Sequence, residues 1–342
     1  DADYAYFSST STSWLAHAAC YAEKAIRQFQ LGSGSLVIEV ASDDGYLLKN
    51  LLAAGIPCLG FEPTASTAAA AEQLGITVIQ EFFSEQLGKQ LAAEGQADLI
   101  VGNNIYAHVP DIDDFTRGLK AALKVDGVVT LEFPHVLRMI DGIQFDTVYH
   151  EHFSYLSLYT VANIFECAGL RVWDVETLPT HGGSLRVYGC HAEHPRVTSA
   201  AVTTLLEEES RHGLQNLAGY VDFQSRADRV KDDLLSFLLE QKRVGKTVAG
   251  YGAAAKGSTL LSYAGIKPDL LPFVCDAAPA KQGKFMPGSH IPILPPASLT
   301  AHRPDYLLIL PWNLAGEIRQ TNAGLAEGGT KFVTAVPRLE VH

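Results

Sequence analysis

Five short apolar runs, each followed by a segment long enough for a helix, govern what the first half of this chain can fold into. Residues 36–41 (LVIEVA) are nearly continuously apolar, and 58–62, 77–80, 98–102 and 128–133 repeat the pattern. Unbroken apolar runs are what strands buried on both faces look like, and strands alternating with helices imply βαβ units on a parallel sheet. After residue 133 the rhythm changes. A helix near 158–168 leads to two strand-like runs, 171–176 and 184–190, joined by the loop chemistry of Thr-Leu-Pro-Thr-His-Gly-Gly. Farther on, Phe223, Ala227, Val230, Leu234 and Leu238 recur at spacings of 4, 3, 4 and 4, which makes one apolar helix face and predicts a packed connecting helix. From Thr247 a second α/β pattern begins: TVAGYG, AAAKGSTLL, FVCD, YLLIL and KFVTAV.

Composition narrows the class. Of the 342 residues 47% are hydrophobic and 19% charged, so the chain can bury a sizeable core. Lys and Arg total 26 against 38 Asp and Glu, a formal charge of −12, which argues against a nucleic-acid partner. No run of 18 apolar residues predicts a membrane span, so no membrane partner is expected. The opening DADYAYFSSTSTSW lacks the basic and apolar regions of a signal peptide, and it lacks an initiator Met, as a processed or trimmed chain would. Cys20, Cys58, Cys167, Cys190 and Cys275 are scattered and form no CxxC, so neither a disulfide framework nor a structural zinc site is expected. A soluble, cytoplasmic α/β protein remains.

Several segments carry chemistry. In Glu39-Val-Ala-Ser-Asp-Asp-Gly45 an acidic strand residue precedes a turn of small residues and an apolar helix, a build that lets backbone approach a nucleotide-like ligand. With one glycine it is no GxGxxG, so a dinucleotide pyrophosphate fits poorly, whereas S-adenosyl-L-methionine (SAM) carries no phosphate. Asp43 or Asp44 serves equally well as a helix N-cap. Glu62, twenty-three residues beyond Glu39, can accept from two ribose hydroxyls. Asn103, Asn104 and His108 follow another strand run, at the edge where open parallel sheets bind ligands. The densest cluster runs from Gln144 to Tyr155 and holds Asp146, Tyr149, His150, Glu151 and His152. Histidine titrates near neutrality and suits a general base, a carboxylate can orient it, and a tyrosine can donate to an oxyanion. A metal is the competing reading. If the segment is extended, His150 and His152 share a face, with His108 or His181 completing the set. His181-Gly-Gly-Ser184 is either a ligand-hugging loop or an ordinary hairpin turn. Lys256, in Gly250-Tyr-Gly-Ala-Ala-Ala-Lys-Gly257, suits a pyrophosphate at a helix start, and Asp276 ends the next strand run beside it.

These pieces together resemble the SAM-dependent sugar C-methyltransferases that build branched deoxysugars in antibiotic pathways. The resemblance spans essentially the whole chain. It rests on YAYFSSTSTSW (4–14), EVASDDGYLL (39–48), GFEPT (60–64), ADLIVGNNIYAHVPDIDDF (97–115), EFPH (132–135), FDTVYHEHFSYLSL (145–158), THGGSLRVY (180–188) and GYGAAAKG (250–257). It implies a class I SAM-methyltransferase Rossmann-like domain followed by a smaller Rossmann-like C-terminal domain. The boundaries expected are an N-terminal segment (1–30) on the active site, the SAM domain (31–195), connecting helices (196–245) and a nucleotide-sugar-binding domain (246–342). Members carry an N-terminal cysteine-rich zinc module, and this chain begins where that module would end, so the resemblance implies it is absent or removed here. Asp43 stands where asparagine is expected.

Residue by residue, the resemblance puts Tyr149, Glu151 and His152 at the reacting centre, with His152 the base and Asn104 and His108 lining the same pocket. Glu39, Ser42, Asp44 and Gly45 would hold the cofactor's amino-acid part and Glu62 its ribose, with Asn103 also binding the cofactor. Tyr4 or Tyr6, His181 and Lys256 fall to the substrate, Lys256 by helix-terminus chemistry rather than by the family. The expected reaction removes a proton beside the ketone of a nucleotide-linked 4-keto sugar and methylates that carbon, with no metal. The alternatives are SAM-dependent O- or N-methylation and, on the GYGAAAKG turn, an NAD(P)-dependent sugar-nucleotide oxidoreductase.

Overall fold

The computed structural model of the chain describes residues 7–342, so the expectations for Tyr4 and Tyr6 lie outside the described residues. The chain divides into two compact units. One reaches to His135 and takes in Phe153–Pro179 and Ser184–His212; the other comprises Val136–His152, Thr180–Gly183 and Gly213–His342. This grouping cuts across the linear boundaries expected from the sequence, because two short segments of the expected SAM domain belong with the second unit.

The first unit is built on a seven-stranded sheet of order β3-β2-β1-β4-β5-β7-β6. Its strands are β1 (Val37–Val40), β2 (Cys58–Phe61), β3 (Thr77–Ile79), β4 (Ala97–Asn103), β5 (Leu123–Pro134), β6 (Leu170–Leu178) and β7 (Ser184–His191). All pair in parallel except β7, which runs antiparallel to both β5 and β6. Side chains alternate across the sheet between two buried cores, which is why the strands read as unbroken apolar runs. Ile38, Val40, Ile100 and Leu131 join Phe61, Phe115 and Phe165 on one face. Val37, Leu99, Val101 and Val128 join Ala18, Tyr21, Ala22 and Ala25 on the other.

The helices up to the first strand connection of the second sheet are α1 (Thr12–Phe29), α2 (Leu48–Ala53), α3 (Ala65–Gln73), α4 (Glu85–Glu94), α5 (Ile112–Ala122), α6 (Val136–Asp141), α7 (Leu158–Ala168), α8 (Ala200–Arg211), α9 (Phe223–Arg243) and α10 (Ala255–Tyr263). Helix α1 starts where the Ser11 hydroxyl accepts the Trp14 N–H at 3.3 Å, a cap worth about 1 kcal/mol. It stops at Gln30, whose φ of 53° is left-handed.

The second unit holds a six-stranded sheet of order β10-β9-β8-β11-β12-β13. Its strands are β8 (Val248–Tyr251), β9 (Val274–Cys275), β10 (Ile293–Leu294), β11 (Tyr306–Ile309), β12 (Lys331–Thr334) and β13 (Glu340–Val341), parallel but for β13. Helix α9 puts Ala227, Val230, Leu234 and Leu238 into this unit's core with Val248, Leu308 and Val333, so the helix read as a packed connector shares the second core. Among the described residues no helix is long and apolar enough to cross a membrane.

Candidate active site

Strand order in the first unit turns away in opposite directions from β1 and β4, and the crevice beyond the carboxyl ends of such neighbours is where open α/β sheets take their ligands. The chain leaves β1 through a strained loop. Ala41, Asp43 and Gly45 all have positive φ, at 58°, 49° and 77°. For the two non-glycine residues this costs roughly 1–2 kcal/mol each. Glycine is favoured at position 45, where φ is left-handed and a Cβ would lie 2.5 Å from the end of the Ile76 side chain and 3.2 Å from Ala71 Cβ. Backbone strain kept at a strand end needs a compensating purpose. Asn104, just past β4, is left-handed as well (φ 57°), its N–H held by the Glu132 carbonyl at 2.7 Å.

Polar atoms collect around this loop. Both carboxylate oxygens of Glu39, the Ser42 hydroxyl, Oδ1 of Asp43 and of Asp44 and both amide atoms of Asn103 are buried without a hydrogen bond of good geometry. The Tyr46 phenol lies against both Glu39 and Asn103. Each such orphan costs roughly 1–3 kcal/mol, so a cluster of them at a strand edge marks a site built for a polar ligand. Burial, reinforced by Asp43, holds the Glu39 carboxyl well above its ordinary range. Glu62 accepts the Asp43 N–H at 3.1 Å and the Thr64 N–H at 2.8 Å, tying the loop to the end of β2. A carboxylate has lone pairs left for hydroxyl donors after two such bonds. Acceptors and carboxylates of this kind suit a ligand bearing an ammonium, a sulfonium and a ribose diol. They fit SAM.

The structure gives Asp43 partners, though none that asparagine could not also hold. Its Oδ2 accepts both the N–H of Ser8, at 3.0 Å, and the Ser8 hydroxyl, while Asp44 accepts the N–H of Ser9 at 3.0 Å. The N-terminal turn Ser8–Thr10 is thus pinned to the loop by two carboxylates. Burial pushes the Asp43 carboxyl up to about 6, against the pull of Ser8.

A second polar layer was not foreseen. Asn103, Glu132, Arg186 and Glu176 are direct cross-strand partners along β4, β5, β7 and β6, so their side chains share one face. Helix α1 covers that face: His17 Nε2 lies 2.8 Å from Glu132, which also pairs with Arg186. The Arg186 guanidinium stacks over the Tyr21 ring, and Lys24 pairs with Glu176. The signal available was weak: His17, Tyr21 and Lys24 recur at helical spacing, but only the fold gives them partners. His108 sits half-buried on the turn Tyr106–His108.

In the second unit, residues 149–152 are not extended. They form a tight turn closed by the His152 N–H on the Tyr149 carbonyl at 3.0 Å. His150 is exposed and His152 buried, so the shared face on which a metal reading depended does not form. Among the described residues, no three His, Cys, Asp or Glu side chains converge as metal ligands would. His152 Nδ1 lies 2.8 Å from the Thr147 carbonyl, an acceptor only, so Nδ1 carries the proton and Nε2 the lone pair in the neutral ring. The Tyr149 ring lies against it, with centroids 4.2 Å apart. Burial, helped by the Lys256 charge, keeps the His152 pKa below its ordinary value, and the Thr147 carbonyl opposes this. The imidazole is therefore neutral at pH 7. Glu151 is half-buried beside it in sequence. His181 lies half-buried with a left-handed φ of 55°. Lys256 Nζ sits 4.7 Å from the Trp312 ring centroid and 3.4 Å from the His181 carbonyl. Asp276 accepts the N–H groups of Ala253 and Ala278 at 2.6 and 2.8 Å and faces Lys281, so it staples its own loop.

Sheet order and cofactor loop define a class I SAM-dependent methyltransferase, and the comparisons agree. Residues 14–175 match the family described as a methyltransferase domain, and residues 179–337 the family described as a C-methyltransferase C-terminal domain. The C-methyltransferase NovU of Streptomyces niveus is 36% identical over 339 residues, covering 99% of this chain and 81% of that protein. The chain belongs to this C-methyltransferase family, and SAM is its methyl donor. Solved structures are more distant. Magnesium protoporphyrin IX methyltransferase ChlM from Synechocystis PCC 6803 aligns over 52% of this chain and 83% of its own, at 15% identity and a TM-score of 0.42. Mitomycin 7-O-methyltransferase MmcR aligns over 54% and 55%, at 17% identity and a TM-score of 0.40.

Proposed function

We propose that this enzyme methylates a carbon next to the ketone of a nucleotide-linked 4-keto deoxysugar, as a cytoplasmic step in building a branched sugar for an antibiotic. The observation that carries the reading is the Tyr149–His152 turn. It presents a buried, neutral imidazole whose tautomer is set by the Thr147 carbonyl and whose face is covered by a phenol. Such a pair suits proton removal from carbon better than nucleophilic or redox chemistry.

Glu39, Ser42, Asp44, Gly45 and Asn103 would hold the amino-acid part of SAM, and Glu62 its ribose. Bound there, SAM supplies a methyl group already activated on a sulfonium. The ketone acidifies the neighbouring C–H, and His152 Nε2 takes that proton while the electron pair moves onto the ketone oxygen. Tyr149 donates a hydrogen bond to the developing oxyanion, and Glu151 helps orient the ring. The carbon made nucleophilic would take the methyl as the S–CH₃ bond breaks and S-adenosylhomocysteine leaves, and His152 returns its proton to solvent. His181 and Lys256 are further contacts to the substrate, and Asn104 and His108 are the remaining candidates to hold the sugar.

The test uses S-adenosylhomocysteine in place of SAM, in heavy water, with a panel of nucleotide-linked 4-keto sugars. Wild-type enzyme should exchange the proton next to the ketone and His152→Ala should not. With SAM, His152→Ala should lose turnover by roughly 10²- to 10⁴-fold while binding SAM normally. Near wild-type turnover in His152→Ala would place the base elsewhere, with His108 the next candidate.

A further inference from the structure

Within the second unit a buried carboxylate and a lysine are held around one tryptophan. Asp146 is fully buried in the 3-10 turn Phe145–Thr147, just ahead of the Tyr149–His152 turn. Its Oδ2 accepts the Trp312 indole N–H at 2.8 Å, and its Oδ1 has no hydrogen-bond partner. The ammonium of Lys256, on α10, lies over the Trp312 ring, held by contacts of 3.4 Å to the His181 carbonyl and to Asn313 Oδ1. Gly182 sits so close to Trp312 that a Cβ would collide with the indole. Charged groups taken out of water in this way stabilise a fold poorly, and an apolar replacement of the same volume often serves stability better. The turn they hold has one evident consequence. Its last residue, Thr147, supplies the carbonyl that accepts the His152 Nδ1 proton.

We propose that Asp146, clamped by the Trp312 indole and balanced by the Lys256 ammonium, is a positioning residue for His152. It fixes the Phe145–Thr147 turn so that the Thr147 carbonyl selects the tautomer with Nε2 as the basic nitrogen. Only the kinetic consequence rests on the proposed reading of His152 as the base; the tautomer is a property of the chain alone. The indole–carboxylate bond sets where the turn lies, and the turn sets which nitrogen keeps its proton. Removing the donor or the acceptor frees the turn, and the ring then populates both tautomers.

Nitrogen NMR of the whole chain, labelled with ¹⁵N-histidine and with His152 assigned by its loss in His152→Gln, reads this directly at pH 8. Wild type should show a protonated Nδ1 and an unprotonated Nε2. Trp312→Phe keeps a ring under Lys256 but removes the indole donor, and Asp146→Ala removes the acceptor; both should give averaged shifts from mixed tautomers. Asp146→Asn keeps an oxygen for Trp312 and should keep the wild-type tautomer. On a sugar that the wild type methylates, the first two variants should lose turnover by on the order of 10²-fold, the scale of a displaced reacting group, while SAM affinity is unchanged. If the wild-type tautomer persists in Trp312→Phe, which is the variant least expected to disturb folding, the proposal is overturned. If the tautomer shifts but exchange of the substrate proton continues at the wild-type rate, the positioning role stands and the assignment of His152 as base fails.

Discussion

Asp43→Asn separates the charge of the cofactor loop from its hydrogen bonds. The wild-type carboxylate holds the Ser8 N–H and hydroxyl through Oδ2, and an asparagine oxygen can accept the same two bonds. What changes is the ionisation. Burial raises the Asp43 pKa from 3.8 to about 6, roughly two units, so the ionised side chain costs the cofactor-free fold about 3 kcal/mol at most. The sign follows from linkage. A carboxyl with a raised folded-state pKa contributes stability that is fully present below its unfolded value, falls as pH rises above that value and is gone once pH has passed about 6. An asparagine at this position never ionises and loses nothing. Urea unfolding of the cofactor-free protein, followed by tryptophan fluorescence, should therefore find Asp43→Asn more stable than wild type by about 1 kcal/mol at pH 4.5 and by up to about 3 kcal/mol at pH 8. A variant less stable than wild type, by more at pH 8 than at pH 4.5, would show that the carboxylate is held for its charge, and the reasoning would fail.

Cofactor binding should release protons. Glu39 and Asp43 are both shifted upward without cofactor, and the positive charges of SAM favour their ionised forms, so calorimetry at pH 6 in buffers of different ionisation heat should show proton release, and less at pH 8 where Asp43 is already ionised. S-adenosylhomocysteine, lacking the sulfonium charge, should release fewer; buffer-independent heats at pH 6 would contradict the loop's electrostatics. Glu62→Ala removes the acceptor for the Asp43 and Thr64 N–H groups, and with it the ribose contacts proposed for this carboxylate. SAM affinity should fall by roughly ten- to a hundredfold or more, with charge-assisted bonds worth about 1.5–3 kcal/mol each, and unchanged affinity would refute the ribose assignment.

The strands were legible because both faces of the first sheet are buried, which turns β1, β2 and β4 into apolar runs. β5 is twice the length the sequence suggested: its first half carries Lys124 and Asp126, which mask the pattern, and the register shifts between Ala97 and Leu99 on its neighbour. β10 and β13 are two residues long, too short for any periodicity to register. The loops flanking β1 and β4 stood out because strand ends of a parallel sheet concentrate chemistry. Their strain did not, since nothing in Ala41 or Asp43 announces a left-handed backbone. Partners far apart in sequence were beyond reach: Ser8 with Asp43, His17 with Glu132, and Asp146 with Trp312 are 35, 115 and 166 residues apart. The sequence showed a dense polar loop at 144–155 but not that it would close into a turn with one histidine in and one out.

The central claim is that the new bond is made to carbon. Enzyme incubated with SAM carrying a ¹³C methyl and the panel of nucleotide-linked 4-keto deoxysugars, with the product read by mass spectrometry and NMR, tests it most directly. The account predicts a gain of one methyl whose ¹³C signal correlates with a ring carbon next to the ketone and lies in the C–CH₃ range. A labelled methyl found on oxygen or nitrogen, with no loss of the proton beside the ketone, would contradict it.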